Sequence, residues 1–128
     1  MLVPAKADWA SWRPDLSMAV LTPTDDLDLE YTVRLGEAAD EVLAIAEQHA
    51  ETCRAVVVDM RAVEFIDSTG LSKLIGLREG LEGSSTTAQL HLVVSADQDI
   101  VRRLFEITGL GDVLSILPDM ESVVSAVD

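Results

Sequence analysis

The sequence predicts an α/β domain built on a largely parallel sheet, and three observations predict it. Apolar runs of strand length alternate with stretches of helical periodicity along the chain. Ala55-Val56-Val57-Val58 is apolar without a break, as in a central strand covered on both faces. The chain has 128 residues, 48% of them hydrophobic, so it can bury roughly two-thirds of its unfolded surface in one core.

Residues 1–16 form an arm or an irregular edge strand, with Trp9 and Trp12 between Pro4 and Pro14. The indoles either pack on the body or offer an aromatic patch to a partner. The domain proper is expected over 17–128. Met18 to Thr22 is a short apolar run stopped by Thr22-Pro23-Thr24-Asp25, a strand followed by a turn. Between Leu29 and Leu35 apolar residues alternate as in a strand. From Glu37 onward, however, Ala38, Ala39, Val42, Leu43 and Ala46 follow helical spacing. A helix over about Glu30 to Ala50 satisfies most of this, with Gly36 costing up to about 1 kcal/mol relative to alanine. The strand Ala55 to Val58 comes next. Asp67-Ser68-Thr69 then supplies N-cap chemistry for a helix carrying Leu71, Leu74, Ile75, Leu77 and Leu81, which ends near Gly80 or Gly83. A strand over Leu90 to Val94 is followed by a helix from Asp97 or Asp99, with Gly109 at its C-terminal stop. Val113 to Ile116 reads as a short strand. Asp119 caps a last helix whose Met120, Val123, Val124 and Val127 share one face.

Charge narrows the function. Nine Lys and Arg against 23 Asp and Glu give a net charge of −14. Such a surface repels phosphate backbones and anionic lipid, so direct nucleic-acid or membrane-surface binding is not expected. It keeps the protein soluble and suits a basic protein partner. Cys53 is the single cysteine, so no internal disulfide forms. The opening Met1-Leu2-Val3-Pro4-Ala5-Lys6 lacks the pattern of a signal peptide, and no apolar stretch has membrane-spanning length. A cytoplasmic protein is expected.

The segment Phe65-Ile66-Asp67-Ser68-Thr69-Gly70-Leu71 carries the most chemical information. Two hydroxyls lie where a helix begins, beside free N–H groups and the positive end of the dipole. A phosphate there would be held by the helix terminus. Gly70 removes a side chain and would let another protein or a kinase approach the backbone. The plainer reading of the same residues is an ordinary N-cap followed by a turn glycine.

Val63-Glu64-Phe65-Ile66-Asp67-Ser68-Thr69-Gly70-Leu71, with Gly76 beyond it, resembles the signature of bacterial anti-sigma factor antagonists of the STAS family. A second block, Val101-Arg102-Arg103-Leu104-Phe105-Glu106-Ile107-Thr108-Gly109-Leu110, is similar to that family's R-L-F-x-x-T/S-G-L segment. Asp25-Asp26-Leu27-Asp28 resembles its acidic turn before the first helix, with Asp25 in place of a glycine. Ser72 also stands where the family commonly has glycine. The resemblance covers about residues 16 to 127. It implies a mixed, mostly parallel sheet of four or five strands, with about four helices mainly on one face. It also implies a non-enzymatic switch. The unmodified protein binds an anti-sigma factor, usually a serine/threonine kinase of the GHKL ATPase type, and frees a sigma factor. Phosphorylation of Thr69, or of its neighbour Ser68, ends the binding, and a phosphatase resets it. Asp28, Asp67, Ser68, Thr69, Gly70 and Leu71 would meet the partner, and no cofactor is implied.

Rival functions are less well supplied. A phosphoaspartate receiver would use Asp59, with Asp25 and Asp26 holding magnesium. It also needs a lysine after the last strand, and the lysines are Lys6 and Lys73. Asp67-Ser68-Thr69-Gly70 is not the Asp-Thr-Gly of an aspartic protease and no second copy supplies a paired carboxylate, nor is a nucleophile elbow or phosphate-binding glycine loop present. His49, His91 and Cys53 lack ligand spacing for a metal. Within the STAS family, a subunit of an ABC-type lipid transporter or a stress-signalling scaffold member is the alternative.

Overall fold

The computed structural model describes residues 9–127. Residues 1–8, which hold Pro4, Lys6 and the expected start of the arm, lie outside the described residues, as does Asp128. In chain order the elements are β1 (Ala10–Arg13), β2 (Met18–Leu21), α1 (Thr32–Gln48), β3 (Ala55–Asp59), α2 (Ser68–Glu82), β4 (Gln89–Val93), α3 (Asp99–Thr108), β5 (Ser115–Leu117) and α4 (Met120–Val127).

The five strands form one sheet in sequential order. β1 pairs antiparallel with β2, placing Trp12 opposite Ala19. The other pairings are parallel, with Val20 beside Val57, Val57 beside His91 and Leu92 beside Ile116. Right-handed crossovers between neighbouring parallel strands in sequential order must all fall on the same face. α1, α2 and α3 accordingly cover one face. There Ala19, Leu21, Val56, Val58, Leu90 and Leu92 meet Leu35, Val42, Leu74, Leu77, Val101 and Phe105. The alternate residues Met18, Val20, Ala55, Val57 and Val93 point the other way and pack with Val123 of α4. The mostly parallel sheet, with helices mainly on one face, is as expected.

Local differences have physical causes. The helix expected over Glu30 to Ala50 begins as a 3-10 turn, Leu29–Tyr31, capped by the Asp28 carboxylate, and continues as α1 from Thr32. Gly36 is accommodated within it, with Lys73 Nζ lying 3.4 Å from where its Cβ would be. The last strand begins two residues later than expected, because a 3-10 turn over Leu110–Asp112 precedes it and Leu114 is buried. Gly109 ends α3 in the left-handed conformation, at φ 74°.

The tryptophans pack on the body. Trp9 is 1% exposed, donates through Nε1 to Thr24 Oγ1 at 3.1 Å, and lies under the Arg34 guanidinium at 4.5 Å. It is therefore core, and the aromatic-patch reading does not hold for it. Trp12 stacks on His49 at the end of α1, with ring centroids 3.9 Å apart. Cys53 is buried, and its thiol is pushed up by that burial. No helix among the described residues is long and apolar enough to cross a membrane.

Candidate functional site

The site is made where two segments far apart in sequence run side by side. Leu27 and Ile66 form a parallel bridge, in which Leu27 N donates to Phe65 O at 2.9 Å and Asp67 N donates to Leu27 O at 3.1 Å. Carboxylates lock it at both ends. Asp26 Oδ1 accepts from Glu64 N and Phe65 N, each at 3.1 Å, and Asp67 Oδ2 accepts from Leu29 N at 3.1 Å. Backbone donors without regular partners are thereby satisfied by carboxylates placed 38 or 39 residues away.

Asp67 is also the N-cap of α2. Its Oδ1 accepts from Thr69 N at 2.9 Å and Gly70 N at 3.2 Å. The Thr69 hydroxyl donates to the same oxygen at 2.5 Å. These donors, the Thr69 hydroxyl foremost, hold the Asp67 carboxyl below the usual carboxylate range.

The two hydroxyls thus differ. Thr69 is half-buried and engaged with Asp67. Ser68, the first residue of α2, is exposed, and no hydrogen bond forms at its hydroxyl. The N–H groups of Thr69 and Gly70, which the sequence leaves free at the helix terminus, are taken by Asp67 in this structure.

Gly70 also has a different use from the one expected. It is buried, and a Cβ on it would lie 2.3 Å from Leu27 O. The close approach it permits is by the chain's own Leu27 segment, not by another protein. Leu71 is 6% exposed and belongs to the core, so it supports the loop from beneath. Asp28 caps the 3-10 turn, with Oδ1 accepting from Glu30 N at 3.0 Å. The structure brings Asp28, Asp67, Ser68 and Thr69 into one locality.

The electrostatics are strongly negative. Repulsion from Glu30 first, then from Asp25, pushes the Tyr31 phenol above its ordinary range. Arg34 offsets a little of this, 3.8 Å from Asp25. Sequence reasoning passed over Asp26, Leu29 and Phe65. The tandem Asp25-Asp26 was the available signal, but a bridge to residues 64–67 has no local trace.

The receiver chemistry finds no support here. Asp59 is closed off by Arg61 through two contacts of 2.9 and 2.8 Å, and Asp26 is committed to backbone donors. No group of three His, Cys, Asp or Glu among the described residues is arranged to hold a metal. His49 and His91 are separate, on α1's end and in β4.

The STAS domain family matches residues 13–123. An anti-sigma-B factor antagonist of Staphylococcus aureus is 31% identical over 101 residues, covering 73% of this chain and 88% of the relative. One from Listeria monocytogenes is 39% identical over 59 residues, 46% of this chain and 48% of the relative. The chain thus spans about half the length of that relative. Among solved structures, an anti-sigma factor antagonist from Mycobacterium paratuberculosis has the same fold, with a TM-score of 0.73, 24% identity and coverage of 92% and 90% of the two chains. The phosphorylated form of the Bacillus cell fate determinant SpoIIAA also shares it. There the TM-score is 0.56 and the identity 14%, with 91% of this chain and 96% of that one covered.

Proposed function

The chain belongs to the STAS domain family, and from that premise we propose that it is an anti-sigma factor antagonist switched by phosphorylation of Ser68. The unmodified protein binds an anti-sigma factor, a serine/threonine kinase of the GHKL type, and so frees a sigma factor. Phosphorylation ends the complex and a phosphatase restores it. The chain works beside the transcription machinery in the cytoplasm and needs no catalytic group of its own.

One observation carries the choice of hydroxyl. A kinase needs an accessible hydroxyl with its lone pairs free, and Ser68 provides that on a rigid helix start. Thr69, the neighbour favoured by sequence alone, gives its proton to Asp67 and serves to position the cap. SpoIIAA, a protein of the same fold, has a solved structure in a phosphorylated form, which supports a phosphate switch as the reading.

Affinity purification from the native cell tests the proposal, with wild type, Ser68→Ala and Ser68→Asp as baits and mass spectrometry as the readout. Wild type and Ser68→Ala retain a GHKL-type kinase, and Ser68→Asp loses it. Phosphopeptide mapping of the wild-type protein places the modification on Ser68. If the baits retain the same proteins, or an ABC-type lipid transporter is captured instead, the switch is refuted.

A further inference from the structure

Three large apolar side chains beside the loop stand open to solvent. Leu29 is 70% exposed, Val33 72% and Phe65 45%. Leu29 opens the 3-10 turn and Val33 lies in the first turn of α1, so both stand at the entry to that helix. Phe65 joins them through the bridge. Leu27 and Ile66 point inward, at 0% and 1% exposed, so their chain neighbours Asp26, Asp28 and Phe65 face outward. Asp26 also bonds the backbone N–H of Phe65. Scattered apolar residues on a surface need no explanation, but a group gathered beside a functional loop marks an interaction site.

Two further properties define what fits there. The group is held in place by the bridge and its carboxylate locks, so little conformational freedom is lost on docking. Its rim is acidic, with Asp26, Asp28 and Glu64 around the apolar centre. An apolar socket ringed by Lys or Arg complements both features.

We propose that Leu29, Val33 and Phe65 are the apolar anchor with which this chain docks into a socket on the anti-sigma factor rimmed by Lys and Arg. This rests on the function proposed above and names the surface and chemistry of that partner. The acidic rim steers and orients the encounter, while the anchor supplies most of the lifetime.

Photo-cross-linking in the native cell tests it, with benzoylphenylalanine in place of Val33, of Phe65, or of Ser72, an exposed residue in the opening of α2. Positions 33 and 65 are expected to cross-link an anti-sigma factor at a peptide with apolar residues flanked by Lys or Arg. Leu29→Ser with Val33→Ser is then expected to bind that purified factor at least tenfold more weakly, with an unchanged unfolding midpoint. If position 72 cross-links an anti-sigma factor while 33 and 65 do not, or if the double variant binds as wild type does, the anchor is refuted and the antagonist function stands. If no position cross-links an anti-sigma factor, the antagonist function fails and the anchor with it.

Discussion

Gly70 and Gly76 lie in the same helix, and alanine at the two positions is expected to change stability in opposite directions. At Gly70 the new Cβ falls 2.3 Å from Leu27 O, 2.8 Å from Ile66 Cγ1 and 2.9 Å from Leu27 Cβ. The first of these is about 1 Å short of ordinary contact, and it is a backbone atom fixed by the bridge. The structure can keep the bridge and absorb the overlap, at about 1–3 kcal/mol. Alternatively it can part the two segments and lose two backbone hydrogen bonds, at about 1 kcal/mol each. Both routes cost about 2 kcal/mol, which lowers the midpoint of thermal unfolding by roughly 6–10 °C in a domain of this size. At Gly76 no atom lies within 4 Å and the residue is exposed, so alanine gains about 0.5–1 kcal/mol of helix propensity. Urea unfolding followed by circular dichroism, compared at constant m-value, measures both. A Gly70→Ala protein as stable as wild type would show that Leu27 is not held against the helix, and the frame of the site would have to be redrawn.

Two pH-linked predictions follow from the same geometry. Asp67→Ala is expected to unfold at a lower temperature than wild type at neutral pH. Because its donors depress the Asp67 carboxyl, that contribution is complete above the ordinary carboxylate range and is lost as pH falls through the depressed value. The gap between the two proteins should therefore close in strong acid, and a gap that persists there refutes the assignment. His91 is 8% exposed within β4, and its Nδ1 meets Ser115 Oγ at 2.7 Å. Burial holds its pKa below the ordinary value, so the neutral ring is the form that folds. Its contribution is full above about pH 6.5 and declines as pH falls through the lowered value. Wild type should lose unfolding temperature between pH 7.5 and 5.5 and His91→Gln should lose less. Equal slopes would rule out the imidazole as the source.

What the sequence made legible was whatever depends on neighbours a few residues away. The unbroken run Ala55–Val58, the cap at Asp67, the stop at Gly109 and the cap at Asp119 all stand where expected. The errors concern partners supplied from elsewhere. Gly70 reads as an opening for a visitor because Leu27, which fills it, lies 43 positions upstream. Thr69 and Ser68 are equivalent hydroxyls in a string of letters and become different only when Asp67 claims one of them. Between Leu29 and Leu35 a strand-like alternation competes with the helix expected over about Glu30 to Ala50, and Asp28 favours the helix by capping Glu30 N. For Trp9 the sequence leaves packing on the body and an aromatic patch both open, and its burial beneath Arg34 decides for packing.

A negative surface that attracts a basic partner would seem to gain affinity when a phosphate adds about −1.5 to −2 charges. The geometry resolves the sign. Long-range attraction acts on the encounter, and there the added charge changes little or helps. The proposed bound state is different, because there Ser68 lies beside the proposed apolar anchor, where contact excludes water. In this structure Asp67 already occupies the N–H groups of Thr69 and Gly70, so a phosphate on Ser68 does not find them open. In the proposed complex it projects into the contact, where its desolvation goes uncompensated and its bulk separates the surfaces. The proposed switch then works on the lifetime of the complex and not on the fold. For Ser68→Asp against purified anti-sigma factor, the association rate should stay within about threefold of wild type while dissociation accelerates by tenfold or more, the pattern by which most interface changes alter affinity. A loss confined to association, or an altered unfolding midpoint in Ser68→Asp, would mean that the added charge acts by remodelling the loop.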